Sequence, residues 1–124
     1  MTTLESAPPT FEPMWLKADQ GASITPVPGV TIWPMTGDRL MLIFVRIDPN
    51  AEVPLHHHIN EQVGTVIEGT MTITIRGESR AVTVGDAYLI PPNVPHSVIA
   101  DEHGCLVIDV FSPPRDDYRL PAPG

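Results

Sequence analysis

Cysteine is nearly absent from this chain. Cys105 stands alone, so no internal disulfide is possible, and a small buried thiol in a cytoplasmic protein is the expectation. Basic residues are also scarce. Seven (Lys17, Arg39, Arg46, Arg76, Arg80, Arg115 and Arg119) face 15 acidic ones, giving a net charge of −8. They form no run, which argues against binding to nucleic acid or to an anionic membrane surface. No apolar stretch approaches the ~20 residues of a membrane span. The start, Met1-Thr2-Thr3-Leu4-Glu5-Ser6, lacks a basic region followed by an apolar run, so no signal peptide is expected. With 42% hydrophobic and 18% charged residues in 124, the composition is that of one globular domain spanning 1–124.

Proline, by contrast, is abundant at 15 residues. Pairs such as Pro8-Pro9, Pro91-Pro92 and Pro113-Pro114 break helices and punctuate short strands. Residues 1–14 and 113–124 read as extended tails around a core of about 29–112. Within that core the apolar period is two. Leu40–Ile47 is apolar except for Arg46. Thr70–Ile75 alternates, turns at Arg76-Gly77-Glu78-Ser79, and resumes at Arg80–Val84. Ala87–Ile90, His96–Ile99 and Cys105–Phe111 are further strands, with turns expected at Glu68-Gly69 and Glu102-His103-Gly104. Short strands every 8–12 residues without a convincing helix predict an all-β sandwich or barrel. Leu40–Val45 is apolar on both faces, which predicts a second subunit against the outer one, as in a homodimer.

The residues that carry chemistry are His56, His58, Gln62 and His96. Side chains of a strand alternate, so His56 and His58 point the same way and His57 the other. Gln62 and His96 share their parity. Glu61, the chemically better ligand, does not. Three imidazoles and an amide oxygen suit one divalent ion (Mn, Fe, Zn, Ni or Co). With every ligand neutral, the ion keeps its full +2 charge and favours an anionic ligand in its open positions. Each liganding histidine should donate its other ring nitrogen to a nearby acceptor.

A second feature lies in Leu106–Tyr118. Leu106, Ile108 and Val110 form one face, and Val107, Asp109 and Phe111 the other. An acid on an apolar face is costly to bury without a partner. Asp109 either pairs with Arg46 or Arg115 for structure, or faces a cavity as an acid/base group near the metal.

These motifs carry a family resemblance. Asn50-(x5)-His56-x-His58-(x3)-Gln62-(x6)-Gly69 resembles the first cupin motif, and Gly85-(x5)-Pro91-x-Asn93-(x2)-His96 the second, with 15 residues between Gly69 and Gly85. The resemblance implies a cupin barrel, that is, a double-stranded β-helix or jelly roll. Asn50 and Asn93 stand where the family has Gly. Asn tolerates the left-handed backbone next best, so both turns should survive. Ala100 stands where the family has Asn, and Gln62 where it usually has Glu. Gln62 together with Asp109-x-Phe111-(x3)-Arg115 is similar to the small cupins of pectin and alginate breakdown, which open 4,5-unsaturated uronates to linear keto sugars. That resemblance implies that the metal and Arg115 hold the substrate, Asp109 moves the proton and Phe111 shapes the pocket.

Three functions follow. The first is metal-dependent opening or isomerisation of a sugar acid. The second is a dioxygenase or related oxidoreductase acting on a partly apolar small substrate, for which Met35, Met41, Met71, Ile73 and Ile75 would supply an apolar wall. The third is a non-enzymatic binding or sensor module, since fold does not imply catalysis.

Overall fold

The structure, a computed structural model, describes residues 12–120. The segments expected as tails fall partly outside these residues. Eight strands make up almost all of the regular structure: β1 (Ile24–Val27), β2 (Val30–Thr36), β3 (Met41–Ile47), β4 (Glu52–His56), β5 (Glu61–Ile75), β6 (Glu78–Thr83), β7 (Ala87–Ile90) and β8 (His96–Ser112). One short 3-10 turn, Asp116–Tyr118, follows. No helix of the described residues is long and apolar enough to cross a membrane.

The strands pair antiparallel in the order β1-β2-β3-β8-β5-β6, with β4 added to β8 and β7 to β5. The two long strands organise the barrel. β5 and β8 pair along their whole length, from Glu61↔Ser112 to Ile75↔His96. The C-terminal half of β8 takes β3 as its other neighbour (Met41↔Phe111 to Ile47↔Cys105). Its N-terminal half takes β4 (His56↔His96, Val53↔Val98). Each long strand therefore serves both walls and must bend between them.

The bend is where the sequence pattern predicts turns. Glu68-Gly69 and Glu102-His103-Gly104 do not end strands; they are bulged corners inside β5 and β8, with register breaks between Val66/Glu68 and Gly69/Met71. Gly69 and Gly104 have φ of 78° and 74°. A Cβ at 69 would run into the Gly104 carbonyl oxygen. The glycines permit a kink, and continued pairing across it keeps both strands intact. The third expected turn is tighter than its four residues. Only Arg76-Gly77 separate β5 from β6, both at positive φ (50° and 80°), as a two-residue hairpin requires. Asn50 and Asn93 adopt φ of 60° and 63°, as expected of residues standing in for glycine.

Alternation sets the core. In β3, Met41, Ile43, Val45 and Ile47 are buried while Leu42, Phe44 and Arg46 are half-buried on the outer face. Val107, Asp109 and Phe111 of β8 point inward. Each fully buried aliphatic or Phe side chain contributes roughly 1.5–3 kcal/mol, so this interior supplies most of the driving force for folding. Outside, the register aligns Met35, Leu42, Val110 and Val63 in one row, and Trp33, Phe44 and Ile108 in the next. Among the described residues these side chains are half-buried apart from exposed Val63, and the Asp19 carboxylate meets Arg46 on the same side of β3.

Candidate metal centre and cavity

His56 ends β4 and His96 begins β8, and the two are direct cross-strand partners. His58 lies beyond β4, in the loop that leads to β5, so strand parity does not govern it. The loop turns it back toward the pair. Ring nitrogens of His56, His58 and His96 all lie within 4.8 Å of one another. His57 is exposed, and on β5 Glu61 is exposed while Gln62 is buried, as strand parity predicts for those two.

Backbone carbonyls fix the orientation of each ring. Nδ1 of His56 donates to Pro54 O at 2.8 Å, Nδ1 of His58 to Asn60 O at 3.0 Å and Nδ1 of His96 to Val94 O at 2.8 Å. A carbonyl can only accept, so each Nδ1 carries the proton and each Nε2 presents a lone pair. The expected acceptor behind each histidine is therefore present. Burial lowers the pKa of all three imidazoles, that of His96 to about 4. They are neutral at pH 7 and ready to coordinate.

Two details fit a cation. His96 Nε2 is buried without a partner, an expensive state for a polar atom. His58 Nε2 also faces Gln62 Oε1 at 3.1 Å, lone pair toward lone pair in the tautomer just derived. A cation among these atoms relieves both. The three-histidine group can hold a metal ion.

The site opens into a cavity of about 320 Å³. Its polar end holds His56, His96, Gln62, Asp109, Tyr88 and Arg115. The remainder is aliphatic, with Ile32, Ile43, Val45, Ile73 and Val98 among the lining residues. Met71 and Ile73 belong to this wall, whereas Met35 faces outward, Ile75 does not line the cavity and Met41 is packed in the core.

Asp109 faces the cavity and does not pair with Arg46, which instead binds Asp19 (2.8 Å) and Glu68 (3.1 Å). The partner of Asp109 is the Tyr88 hydroxyl, which donates to Oδ1 at 2.6 Å. Burial raises the Asp109 carboxyl to about 6, although the Tyr88 hydroxyl, the Gln62 amide and the Arg115 charge all pull it down. Tyr88 is itself held well above its usual pKa by burial and by the Asp109 charge. Phe111 sets its ring edge-on to His58, with centroids 5.5 Å apart. The Arg115 guanidinium lies 3.9 Å from the Tyr118 ring centroid and 5.3 Å from that of Phe111. Asp117 occupies its fork through Nε at 3.2 Å and the terminal nitrogen at 2.7 Å. A substrate carboxylate at Arg115 would compete with this largely exposed acid.

Sequence reasoning missed Tyr88, Asp117, Tyr118 and Asn60. Asn60 is buried, and its Nδ2 donates to Pro113 O at 2.6 Å, which ties the histidine loop to the segment carrying Arg115. The even parity of Tyr88 and Ile90 within Ala87–Ile90 was the available signal for Tyr88, but sequence alone does not give the register that sets it beside Asp109.

Comparison with known proteins adds four findings. The family model of the cupin domain matches residues 43–111. The pectin degradation protein KdgF of Dickeya dadantii (strain 3937) is 38% identical over 82 residues, covering 65% of this chain and 74% of that protein. Among solved structures, KdgF from Halomonas sp. superposes with a TM-score of 0.73 at 33% identity, covering 78% of this chain and 90% of that one. An RmlC-like cupin from Shewanella frigidimarina NCIMB 400 gives 0.78 at 28% identity, covering 86% and 96%.

Proposed function

The chain belongs to the cupin family, and from that premise we propose that it is a metal-dependent enzyme that opens or isomerises a small sugar acid such as a 4,5-unsaturated uronate. The observation that carries this reading is the buried Asp109 carboxyl on the cavity wall, in hydrogen-bonding reach of Gln62, whose amide oxygen in turn faces His58 of the three-histidine group. The likeness to two KdgF proteins, one of them named for pectin degradation, supports it.

In this reading His56, His58 and His96 hold a divalent ion through Nε2, and Gln62 holds it through Oε1. Manganese, iron, zinc, nickel and cobalt all suit such a donor set. The bound ion supplies Lewis-acid polarisation of a substrate oxygen. Arg115 takes the substrate carboxylate by displacing Asp117, and its stack on Tyr118 and Phe111 keeps the guanidinium aimed at the cavity. Asp109 accepts the anomeric hydroxyl proton. As the C1 carbonyl forms, the bond from C1 to the ring oxygen breaks. The ring oxygen leaves as an enolate, which becomes a ketone by taking that same proton on carbon, so the reaction is redox-neutral with no atom gained or lost. A carboxyl raised to about 6 suits both directions of that transfer near neutral pH. Phe111 walls the cavity beside His58. A second copy of the chain covers the outer face formed by Trp33, Leu42, Phe44, Ile108 and Val110.

The test is the ultraviolet absorbance of an unsaturated galacturonate incubated with metal-loaded protein. The reading requires decay faster than the no-enzyme control. Decay at the spontaneous rate rejects it. The aliphatic lining of the cavity favours a second reading, an oxidoreductase on a partly apolar substrate. Substrate-dependent oxygen uptake by iron- or manganese-loaded protein would select it, and no uptake over a broad panel of small apolar acids and ketones would remove it.

A further inference from the structure

Tyr88, Gly64 and Asp109 form one cross-strand row. β7, β5 and β8 lie side by side, with Gly64↔Tyr88 on one flank and Gly64↔Asp109 on the other. The adjacent row is Ile90, Gln62 and Phe111, so Asp109 stands one step from Gln62. Tyr88 and Asp109 are two strand spacings apart, about 9.5 Å. Their side chains can meet only by passing over the strand between them.

Gly64 makes that passage possible. A Cβ at 64 would collide with Asp109 Oδ1 and with the Tyr88 hydroxyl. The backbone at 64 is ordinary strand, so its glycine is not explained by a positive φ. The space above it is filled by the Tyr88–Asp109 hydrogen bond of 2.6 Å. Both partners line the cavity.

We infer that Tyr88 is a positioning residue for Asp109, and that Gly64 is the notch through which it acts. The phenol takes Oδ1 and fixes the carboxyl plane. Oδ2 is thereby the oxygen presented to substrate. Burial and the neighbouring carboxylate keep the phenol protonated, so Tyr88 is a permanent donor and no base. The bond also gives a buried acid the partner it needs. A purely structural role would stop there; a positioning role makes turnover depend on it. This kinetic consequence rests on the ring-opening reading, whereas the orientation of Asp109 does not.

Tyr88→Phe keeps the ring and removes only the hydroxyl. The experiment compares untagged, metal-loaded wild type, Tyr88→Phe and Gly64→Ala in two ways: steady-state kinetics on unsaturated galacturonate, and crystal structures at one pH. For Tyr88→Phe the expected result is kcat lower by about 10- to 100-fold, KM within about two-fold, and an Asp109 carboxyl turned away from its wild-type plane. Gly64→Ala should show the same loss of kcat although the phenol is retained. A Tyr88→Phe kcat within about two-fold of wild type, or an Asp109 carboxyl that stays in place, overturns the assignment of Tyr88. A Gly64→Ala variant that keeps both the hydrogen bond and kcat overturns the notch. If the wild type leaves the substrate decaying at its spontaneous rate, the ring-opening reading falls by itself. The orientation of Asp109 in Tyr88→Phe then decides whether Tyr88 positions it.

Discussion

Replacing Asp109 with asparagine should make the metal-free protein more stable and the metal-loaded protein inactive. The magnitude follows from the environment of the carboxyl. Asp109 is 7% exposed, and burial lifts its pKa from 3.8 to about 6. In the unfolded chain the group loses its proton near 3.8, and in the folded chain it holds the proton until about 6. The native state therefore binds more protons than the unfolded state across this window, and stability falls as pH rises through it. A shift of about two units corresponds to roughly 3 kcal/mol. Asparagine has nearly the same shape, accepts the Tyr88 hydrogen bond through its own oxygen and carries no charge. In chelator-treated protein at pH 8, Asp109→Asn should gain about 1–3 kcal/mol, seen as a rise in Tm of roughly 5–10 °C. The gain should be mostly lost by pH 4 and vanish only well below the unfolded value of 3.8, where the wild-type carboxyl is neutral in both states. Thermal melts of both proteins from pH 4 to 8 measure this directly. A variant less stable than wild type at pH 8, or a gain that does not change with pH, would refute the reasoning. Asp109 would then be a well-paired structural anion, and retained turnover in the variant would say the same.

Two further outcomes are expected. Burial raises the Cys105 thiol to about 11, so an alkylating reagent at pH 8 should leave the folded protein unmodified and label one thiol per chain after unfolding; mass spectrometry that finds folded protein rapidly labelled would contradict the packing around it. The apolar outer face predicts a dimer of about twice the 13.5 kDa chain mass by light scattering. Phe44→Glu should shift it to monomer with the barrel intact by circular dichroism, and a wild-type monomer at micromolar concentration would remove the second copy from that face.

Period and turn chemistry exposed a good part of this fold. Thr70–Ile75 alternates in sequence because one side faces the interior, whereas Leu40–Ile47 and Ala87–Ile90 are apolar at consecutive positions and alternate only in burial; both of the latter are strands within one residue of the expected bounds. Gly69 and Gly104 misled the reading, because a positive-φ glycine marks a corner inside a continuous strand as readily as the end of one. Only long-range pairing between β5 and β8 distinguishes the two cases. Pro26, Pro28 and Pro34 hid β1 and β2, since proline is tolerated at strand positions whose N–H is not needed. The histidines were legible from spacing and family pattern, although His58 reaches the site through a loop and not by strand parity. Tyr88, Asn60 and Asp117 were not legible. Each matters through a partner 21, 53 or two residues away, and which pairs meet is set by register and loop path that no local pattern encodes.

The proposed chemistry depends on His56, His58, His96 and Gln62 forming one metal centre. Elemental analysis of protein made without an affinity tag tests it most directly, because nickel chromatography could load His56-His57-His58 artificially. About one divalent ion per chain is expected in the wild type, lost after dialysis of His96→Ala and weakened in Gln62→Ala, with both variants still folded. A wild-type protein that takes up no divalent ion, or a His96→Ala variant that retains a full equivalent, would contradict it.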